Sequence, residues 1–386
     1  MESIEIGRAA IDAIDQKLLE LFLERMDWAQ QIGEYKRQYH LNVTDMGREK
    51  EIIDRLLLSV DQPALQMAVA GLWDRLFSVS RDLQATDASI SRPDLLRLQE
   101  LFRLEDLPAV VIEPTVSFPG TTGSYSDEAL SRYFPAAVKV EAPTFAVAMQ
   151  LLMQEAVQLV ILPIENSSTG SIGATYDLLV SHDCYLVGEI ILPIHHCLLA
   201  PEGADCNTIR EVYSHQQGFS QCRDYLHNYP DWQKIPYFNT AIAARKVAES
   251  QNIQQAAIAS SFAAFHYKLQ ILAENIEDQD QNQTRFAVVG RQLEVKPGSN
   301  RISLLFEIEH QAGSLYEILS IFAHFRLNLC KLESRPIGSG TFRYRFFADL
   351  EGDLRDIPTQ QALFEAGRKC NFIKLLGAYS AAQSRS

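Results

Sequence analysis

The sequence predicts a multidomain chain: an all-α block of three helices, then an α/β block, then a small ferredoxin-like βαββαβ block. Three observations predict it. Residues 1–88 hold one proline, Pro63, few glycines, and apolar residues at helical spacing. Residues 109–295 alternate short β-branched runs with helical stretches. Val295-Lys296-Pro297-Gly298-Ser299-Asn300 is a turn-rich linker, after which residues 300–380 follow a third pattern. Residues 89–108, with Pro93 and Pro108, read as a polar, partly helical connector. A length of 386 residues leaves room for two or three domains, at roughly 100–200 residues each.

Composition narrows the function. Apolar residues make up 47% and charged residues 22%, the balance of a chain that buries sizeable cores. Thirty-five Lys and Arg against 49 Asp and Glu give a net charge of −14. Such a chain repels a phosphate backbone, so no nucleic-acid partner is expected, and basic groups that bind small anions must be focused locally. There is no run of about 18 apolar residues, so no membrane-spanning helix is expected. Met1-Glu2-Ser3-Ile4-Glu5 has no signal-peptide pattern. Cys184, Cys197, Cys206, Cys222, Cys330 and Cys370 form no CxxC pair and no zinc spacing. They read as reduced thiols of a cytoplasmic protein.

In the first block Ile11, Ile14, Leu18, Leu21, Arg25, Trp28, Ile32 and Tyr35 are spaced 3,4,3,4,3,4,3, a heptad seam. Arg25 stands where an apolar residue belongs, and a guanidinium there is costly unless an anion meets it. Lys36, eleven residues on, is turned only about 20° from Arg25 at about 100° per residue. Arg8, seventeen residues before Arg25, is turned about 100° away and suits a pocket in another subunit better than one on its own helix. Asp45, Arg48 and Glu49 head a helix whose stripe runs through Ile52 and Leu56. Ser80 and Gln84 extend the stripe of Leu72 and Leu76. Taken singly, each is also readable as a solvated seam end with incidental ion pairs.

Arg8, Arg25, Lys36, Asp45, Arg48, Glu49, Ser80 and Gln84 together resemble the active-site pattern of all-helical chorismate mutases, intertwined dimers with three helices per subunit. The resemblance implies that Arg25, Lys36 and Arg8 from a second subunit bind the two carboxylates of chorismate, with Arg48 in support. It implies that Asp45 and Glu49 hold the hydroxyl end, and that Lys36 and Gln84 face the ether oxygen. A unimolecular pericyclic rearrangement needs no nucleophile and no cofactor. It needs a folded reactive conformer and donors aimed at the oxygen that gains charge.

In the second block the apolar strand Leu159-Val160-Ile161-Leu162 runs into Pro163-Ile164-Glu165-Asn166-Ser167-Ser168-Thr169-Gly170-Ser171. Ligands collect at strand ends in α/β sheets, and this loop offers donors to a carboxylate. An ordinary helix cap is the plainer reading of the loop alone. The junction Tyr213-Ser214-His215, followed by Gln221-Cys222, repeats the theme, and Gln283-Thr284-Arg285-Phe286 enters another strand. A lone His215 is readable as structural. His195 and His196 beside Cys197 raise the question of a metal, but neighbours in a strand point to opposite faces, so no metal is expected.

With Gly123-Ser124-Tyr125-Ser126, His196-Cys197-Leu198-Leu199 and Asn239-Thr240, these segments resemble prephenate dehydratases. The resemblance implies two α/β lobes around a cleft, like those of periplasmic binding proteins. It also implies decarboxylation with loss of hydroxide, giving phenylpyruvate, carbon dioxide and water. Thr284 would assist hydroxyl departure. Glu165, Asn166, Ser214, His215 and Gln221 would line the site, with Arg285 and Thr240 near it. Threonine is a weak acid, so Thr284 is expected to donate a hydrogen bond within a network. Neutral donors suit a carboxylate that loses its charge as carbon dioxide leaves. One loop departs from the family's Gly-Pro-x-Gly: here Pro119 precedes Gly120.

In the third block residues 301–309, 327–333, 341–350 and 372–378 read as strands, with helices over 312–325 and 358–369 and a turn at Gly338-Ser339-Gly340. Gly313-Ser314-Leu315-Tyr316 and Glu333-Ser334-Arg335-Pro336 resemble the two phenylalanine-binding motifs of ACT domains, although the first is usually Gly-Ala-Leu-Val. The resemblance implies that Gly313, Ser314, Leu315, Glu333, Ser334 and Arg335 hold a regulatory phenylalanine.

The order of the three blocks resembles the chorismate mutase/prephenate dehydratase fusions of phenylalanine synthesis. That implies chorismate and prephenate as small-molecule substrates, L-phenylalanine as effector, no cofactor, and a homodimer or higher homo-oligomer. A phenylalanine sensor or solute-binding protein that has lost its chemistry is the alternative class. Arogenate is the alternative substrate of the middle block.

Overall fold

The computed structural model describes residues 4–39, 41–43, 45–84, 92–103, 113–337 and 343–382. The chain divides into two compact units, one ending at Leu96 and the other beginning at Arg97.

The first unit holds α1 (Ile4–Gln38), α2 (Met46–Leu57) and α3 (Pro63–Gln84). The 35 residues of α1 make a rod about 52 Å long. The Asp45 carboxylate accepts from the Arg48 N–H at 3.0 Å and starts α2. Pro63 opens α3, where its missing N–H is not needed. α3 packs against both other helices. On α1 the buried side is Met26, Ala29 and Gly33. A Cβ at Gly33 would lie 2.8 Å from the Gln84 Cα, so glycine permits the closest approach of α1 to α3 at Gln84 itself.

The heptad seam does not lie on that side. Ile11, Ile14, Leu18, Leu21, Trp28, Ile32 and Tyr35 remain 48–61% exposed. A strict 3.5-residue stripe is the signature of one long rod lying against another, and it drifts round a helix whose own period is 3.6. Within one chain α3 covers only the flank that carries Arg25 and Lys36.

α4 (Pro93–Phe102) spans the boundary between the units. No described helix is long and apolar enough to cross a membrane. The Gly338-Ser339-Gly340 turn and Pro108 lie outside the described residues.

The second unit begins with β1 (Thr115–Pro119), α5 (Tyr125–Tyr133), β2 (Val138–Ala142), α6 (Phe145–Met153), β3 (Leu159–Asn166), β4 (Gly170–Ser171), α7 (Gly173–Ser181) and β5 (Tyr185–Pro193). β1 lies parallel to both β2 and β3. The chain then crosses into another sheet through β6 (Cys197–Ala200), β7 (Glu211–Ser214), α8 (Gln216–Gln221), α9 (Arg223–His227), β8 (Gln233–Pro236), α10 (Thr240–Ser250), β9 (Gln255–Ala259), α11 (Ser261–Tyr267) and β10 (Gln270–Ala273). Its order is β10-β6-β9-β7-β8. The return strand β11 (Gln283–Gly290) runs antiparallel between β3 and β5. The two crossings, after β5 and before β11, are the joints between the lobes. Val160, Leu162, Met149 and Leu179 belong to the core of the first lobe, and Ile258, Val212 and Trp232 to that of the second.

The remaining elements are β12 (Arg301–Glu307), α12 (Ser314–His324), β13 (Asn328–Pro336), β14 (Tyr344–Glu351), α13 (Ile357–Lys369) and β15 (Phe372–Tyr379), in chain order βαββαβ. Their strands are ordered β13-β14-β12-β15. β15 meets β5 through the single register pair Gly377 and Leu186, so the first sheet continues without a break across nine strands, with β4 paired to β3 as a tenth off that run. A Cβ at Gly377 would overlap the Leu186 carbonyl oxygen, and only glycine permits that join.

Candidate active sites

In the helical unit α1 and α3 bring four of the expected residues together. The Arg25 guanidinium donates to Ser80 Oγ at 2.6 Å and to the Leu76 carbonyl at 3.3 Å. It also lies 5.6 Å from the centroid of the Phe77 ring. Lys36 Nζ donates to the Val43 carbonyl at 2.7 Å and to Gln84 Oε1 at 3.3 Å. These partners are all neutral. Burial lowers the Arg25 pKa, the mark of a cation drawn partly out of water. Among the described residues these two cations, on one flank of α1, hydrogen-bond only to neutral groups, and they form a natural seat for carboxylates.

The α2 residues are engaged elsewhere. Asp45 caps its helix, Arg48 pairs with Glu51 at 3.1 Å in solvent, and both Glu49 oxygens lie 2.6 Å from Arg81 Nη1. Arg81 was not singled out from the sequence; its place beside Ser80 was the available signal. Arg8 is exposed and stands about 25 Å along α1 from Arg25, so the chain does not bring it to its own cluster.

In the second unit a cleft of about 540 Å³ opens between the two lobes. Asn166 on β3 and Thr284 on β11 face each other in register, with Asn166 Nδ2 donating to Thr284 Oγ1 at 2.9 Å. Asn166 Nδ2 also donates to Asn282 Oδ1 at 2.8 Å, and its own Oδ1 accepts from the Ser168 and Thr169 N–H groups at 3.0 and 3.1 Å. The asparagine is held fast. Because Thr284 Oγ1 already accepts a bond there, its own proton is left to donate. His215, Gln221 and Thr240 line the opposite wall. Ser124, Thr144 and Asn239 cap α5, α6 and α10 and also line the cleft, so three positive helix ends open on it. Among the described residues the lining contains no Lys, Arg, Asp or Glu.

Glu165 and Ser214, expected to line the cleft, do not, and Arg285, expected near it, stands behind its wall. Glu165 and Arg285 stand in register on the same two strands as Asn166 and Thr284, and successive strand residues face opposite ways. Arg285 therefore points to the other face of the sheet. There it meets Glu189 at 2.5 Å, Asp349 at 2.7 Å and the Tyr379 hydroxyl at 2.9 Å. Burial alone would lower its pKa, but Tyr379, Asp349 and Glu189 outweigh burial and raise it. Glu165 accepts from Lys331 at 2.8 Å on that same face. Ser214 is fully buried and donates to the Ile258 carbonyl at 2.9 Å, which fixes the turn into α8. Arg285→Met would strand buried Glu189 and Asp349. It is expected to cost about 3–5 kcal/mol of stability, read by denaturant unfolding of the full chain.

Two cleft residues carry more than the sequence reading assigned them. Tyr125 and His196 both line the cleft. Burial raises the Tyr125 pKa well above its ordinary value and lowers that of His196. His195 and His196 diverge, His195 to Glu277 at 2.7 Å and His196 to Gln221 at 2.9 Å.

In the βαββαβ block Gly313, at φ +91°, precedes α12, whose first turn holds Ser314 and Leu315. Glu333 accepts from the Ser171 hydroxyl, and Arg335 donates to the Gly173 carbonyl at 2.6 Å. Ser334 sits between them on β13, so this motif runs along β4 and the start of α7.

Comparison with known proteins agrees with this geometry. A family model described as chorismate mutase type II matches residues 7–85, and one described as prephenate dehydratase matches residues 116–294. Fold and sites together define an enzyme with an isomerase unit and a lyase cleft. The bifunctional chorismate mutase/prephenate dehydratase of Escherichia coli K12 is 34% identical over 96% of this chain and 95% of its own length. An arogenate dehydratase/prephenate dehydratase of Arabidopsis thaliana is 38% identical over 68% of this chain and 71% of its own. The crystal structure of a prephenate dehydratase from Arthrobacter aurescens in complex with L-Phe superposes with a TM-score of 0.63 at 28% identity, covering 69% of this chain and 89% of that one. This chain belongs to the family of bifunctional chorismate mutase/prephenate dehydratases.

Proposed function

We propose that the chain catalyses two consecutive steps toward phenylalanine. The helical unit rearranges chorismate to prephenate, and the cleft of the second unit converts prephenate to phenylpyruvate, carbon dioxide and water. The observation that carries the second step is the Asn166–Thr284 pair in a cleft lined by neutral donors and helix N-termini. A dianionic substrate is held there by dipoles and amides, with no ammonium or guanidinium to oppose loss of the carboxylate charge. Thr284 donates to the departing hydroxyl, and aromatisation drives the step. His215, Gln221 and Thr240 complete the wall, while Glu165, Arg285 and Ser214 support it from behind.

For the first step Arg25 and Lys36 grip the carboxylates, and Lys36 with Gln84 meets the ether oxygen. Ser80 orients Arg25. Asp45, Arg48 and Glu49 close the end of the pocket next to α2. The bare seam and the distance of Arg8 from its own cluster support a homodimer in which a second copy covers α1 and supplies Arg8. The domain reading is mutase over 1–88, connector over 89–108, dehydratase over 109–295 and an ACT regulatory domain over 300–380. Gly313, Ser314, Leu315, Glu333, Ser334 and Arg335 form its phenylalanine site.

Incubating the purified chain with chorismate tests the whole. Prephenate and then phenylpyruvate are expected, with phenylalanine slowing the second step. Absence of both products refutes the assignment, and faster turnover of arogenate than of prephenate reassigns the cleft's substrate.

A further inference from the structure

Gln221 enters the cleft from the last turn of α8, and its amide can face a ligand in two ways, nitrogen outward as donor or oxygen outward as acceptor. Its Oε1 lies 2.9 Å from His196 Nε2, and His196 Nδ1 lies 2.9 Å from the Tyr125 hydroxyl. The histidine is 2% exposed, so these neighbours, not bulk water, serve its ring. Its backbone is pinned on both sides. The N–H donates to Glu277 at 2.8 Å, and the carbonyl accepts from the Ile276 N–H at 3.0 Å.

A neutral imidazole carries one ring proton, so its two nitrogens play opposite roles. If Tyr125 donates to Nδ1, the ring proton sits on Nε2. Gln221 then answers with its oxygen and turns its N–H groups to the cleft. If Tyr125 instead gives its proton to the exposed His195 carbonyl, 2.7 Å away, Nδ1 holds the ring proton. Gln221 would then reverse and present an acceptor. The first arrangement is the one that makes a hydrogen bond of the Oε1–Nε2 contact and leaves the amide N–H groups for the cleft. Burial lowers the His196 pKa and favours the neutral ring that this logic requires. A departing hydroxyl gains negative charge and is stabilised by donors, not by an amide oxygen.

We propose that Tyr125 and His196 are positioning residues for the dehydration step, a relay that fixes the Gln221 amide with its N–H groups turned into the cleft. The proposal rests on the cleft being the prephenate site, and two measurements separate its failure from the failure of that reading.

The first is independent of activity. In the full chain labelled with ¹⁵N-histidine, the His196 signals, assigned by their loss in His196→Gln, are expected to show the Nε2–H tautomer. An Nδ1–H tautomer overturns the relay. The second is a double-mutant cycle on prephenate turnover with Tyr125→Phe, Gln221→Ala and both together. Tyr125→Phe is expected to lower kcat roughly 10–100-fold with a much smaller change in KM, and to add nothing once Gln221 is alanine. An unchanged kcat, or losses that multiply, overturns it. The circular dichroism and denaturant unfolding midpoint of the same samples should be unaltered and report that the unit carrying the cleft is folded in each variant. If the unaltered chain does not consume prephenate, the site reading falls, and the tautomer alone decides the relay.

Discussion

Thr284→Ala is expected to lower the conversion of prephenate to phenylpyruvate by roughly 10²–10³-fold while the rearrangement of chorismate keeps its rate. Thr284 is 8% exposed, and its hydroxyl oxygen is already occupied by the Asn166 amide at 2.9 Å. What the side chain has left to offer is one proton, directed at the cleft. No other donor can step in on the same strand, because Arg285 faces the far side of the sheet. Alanine keeps the backbone of β11 in its ladder, so the loss should be one of chemistry and not of fold. Thr284→Ser, which keeps the hydroxyl, should retain most of the rate. Phenylpyruvate absorbance and prephenate production from chorismate, read on one sample, decide the matter. Parallel loss of both activities would show that the two steps do not have separate sites.

The converse is expected of Gln84→Ala: a fall of roughly 10²–10³-fold in the mutase rate and an unchanged dehydratase. Gln84 is 8% exposed, and its Oε1 takes a bond from Lys36 Nζ at 3.3 Å. That contact orients the amide, so its nitrogen and the lysine ammonium can converge on an oxygen that gains charge as the C–O bond breaks. Truncation removes one donor and frees the other. Alanine still carries the Cβ beside Gly33, so the close approach of α1 and α3 is preserved. Direct supply of prephenate to this variant should give full phenylpyruvate formation.

Much of this was legible in the residues. The three blocks are visible as changes in apolar period, and Arg25 and Lys36 fall on one helical flank by arithmetic alone. The departures are instructive. Glu165 and Asn166 are neighbours in a strand, and strand alternation forbids both from facing one cleft; Arg285, read as near the site, stands behind it for the same reason. That constraint was available, but family likeness attaches to stretches of sequence and blurs which member of a stretch touches the ligand. Ser214 went astray in the same way. The seam of α1 was readable as a stripe, but a stripe does not say which body covers it. The Tyr125–His196 contact joins residues 71 apart in the chain, and no local period announces it. The join of β15 to β5 rests on a single register pair, too little to leave a pattern.

The bare flank of α1 makes the first reaction a matter of population. Seven large apolar side chains there lack cover in one chain, and Arg8 stands far from the cations it would assist. If two copies supply one another, mass action governs how many complete mutase pockets exist at a given protein concentration. The residues that line the dehydratase cleft already come together within one chain. Progressive dilution is therefore expected to lower the turnover of chorismate per molecule well before that of prephenate, so the enzyme would lose its own supply of intermediate before it lost the ability to consume it.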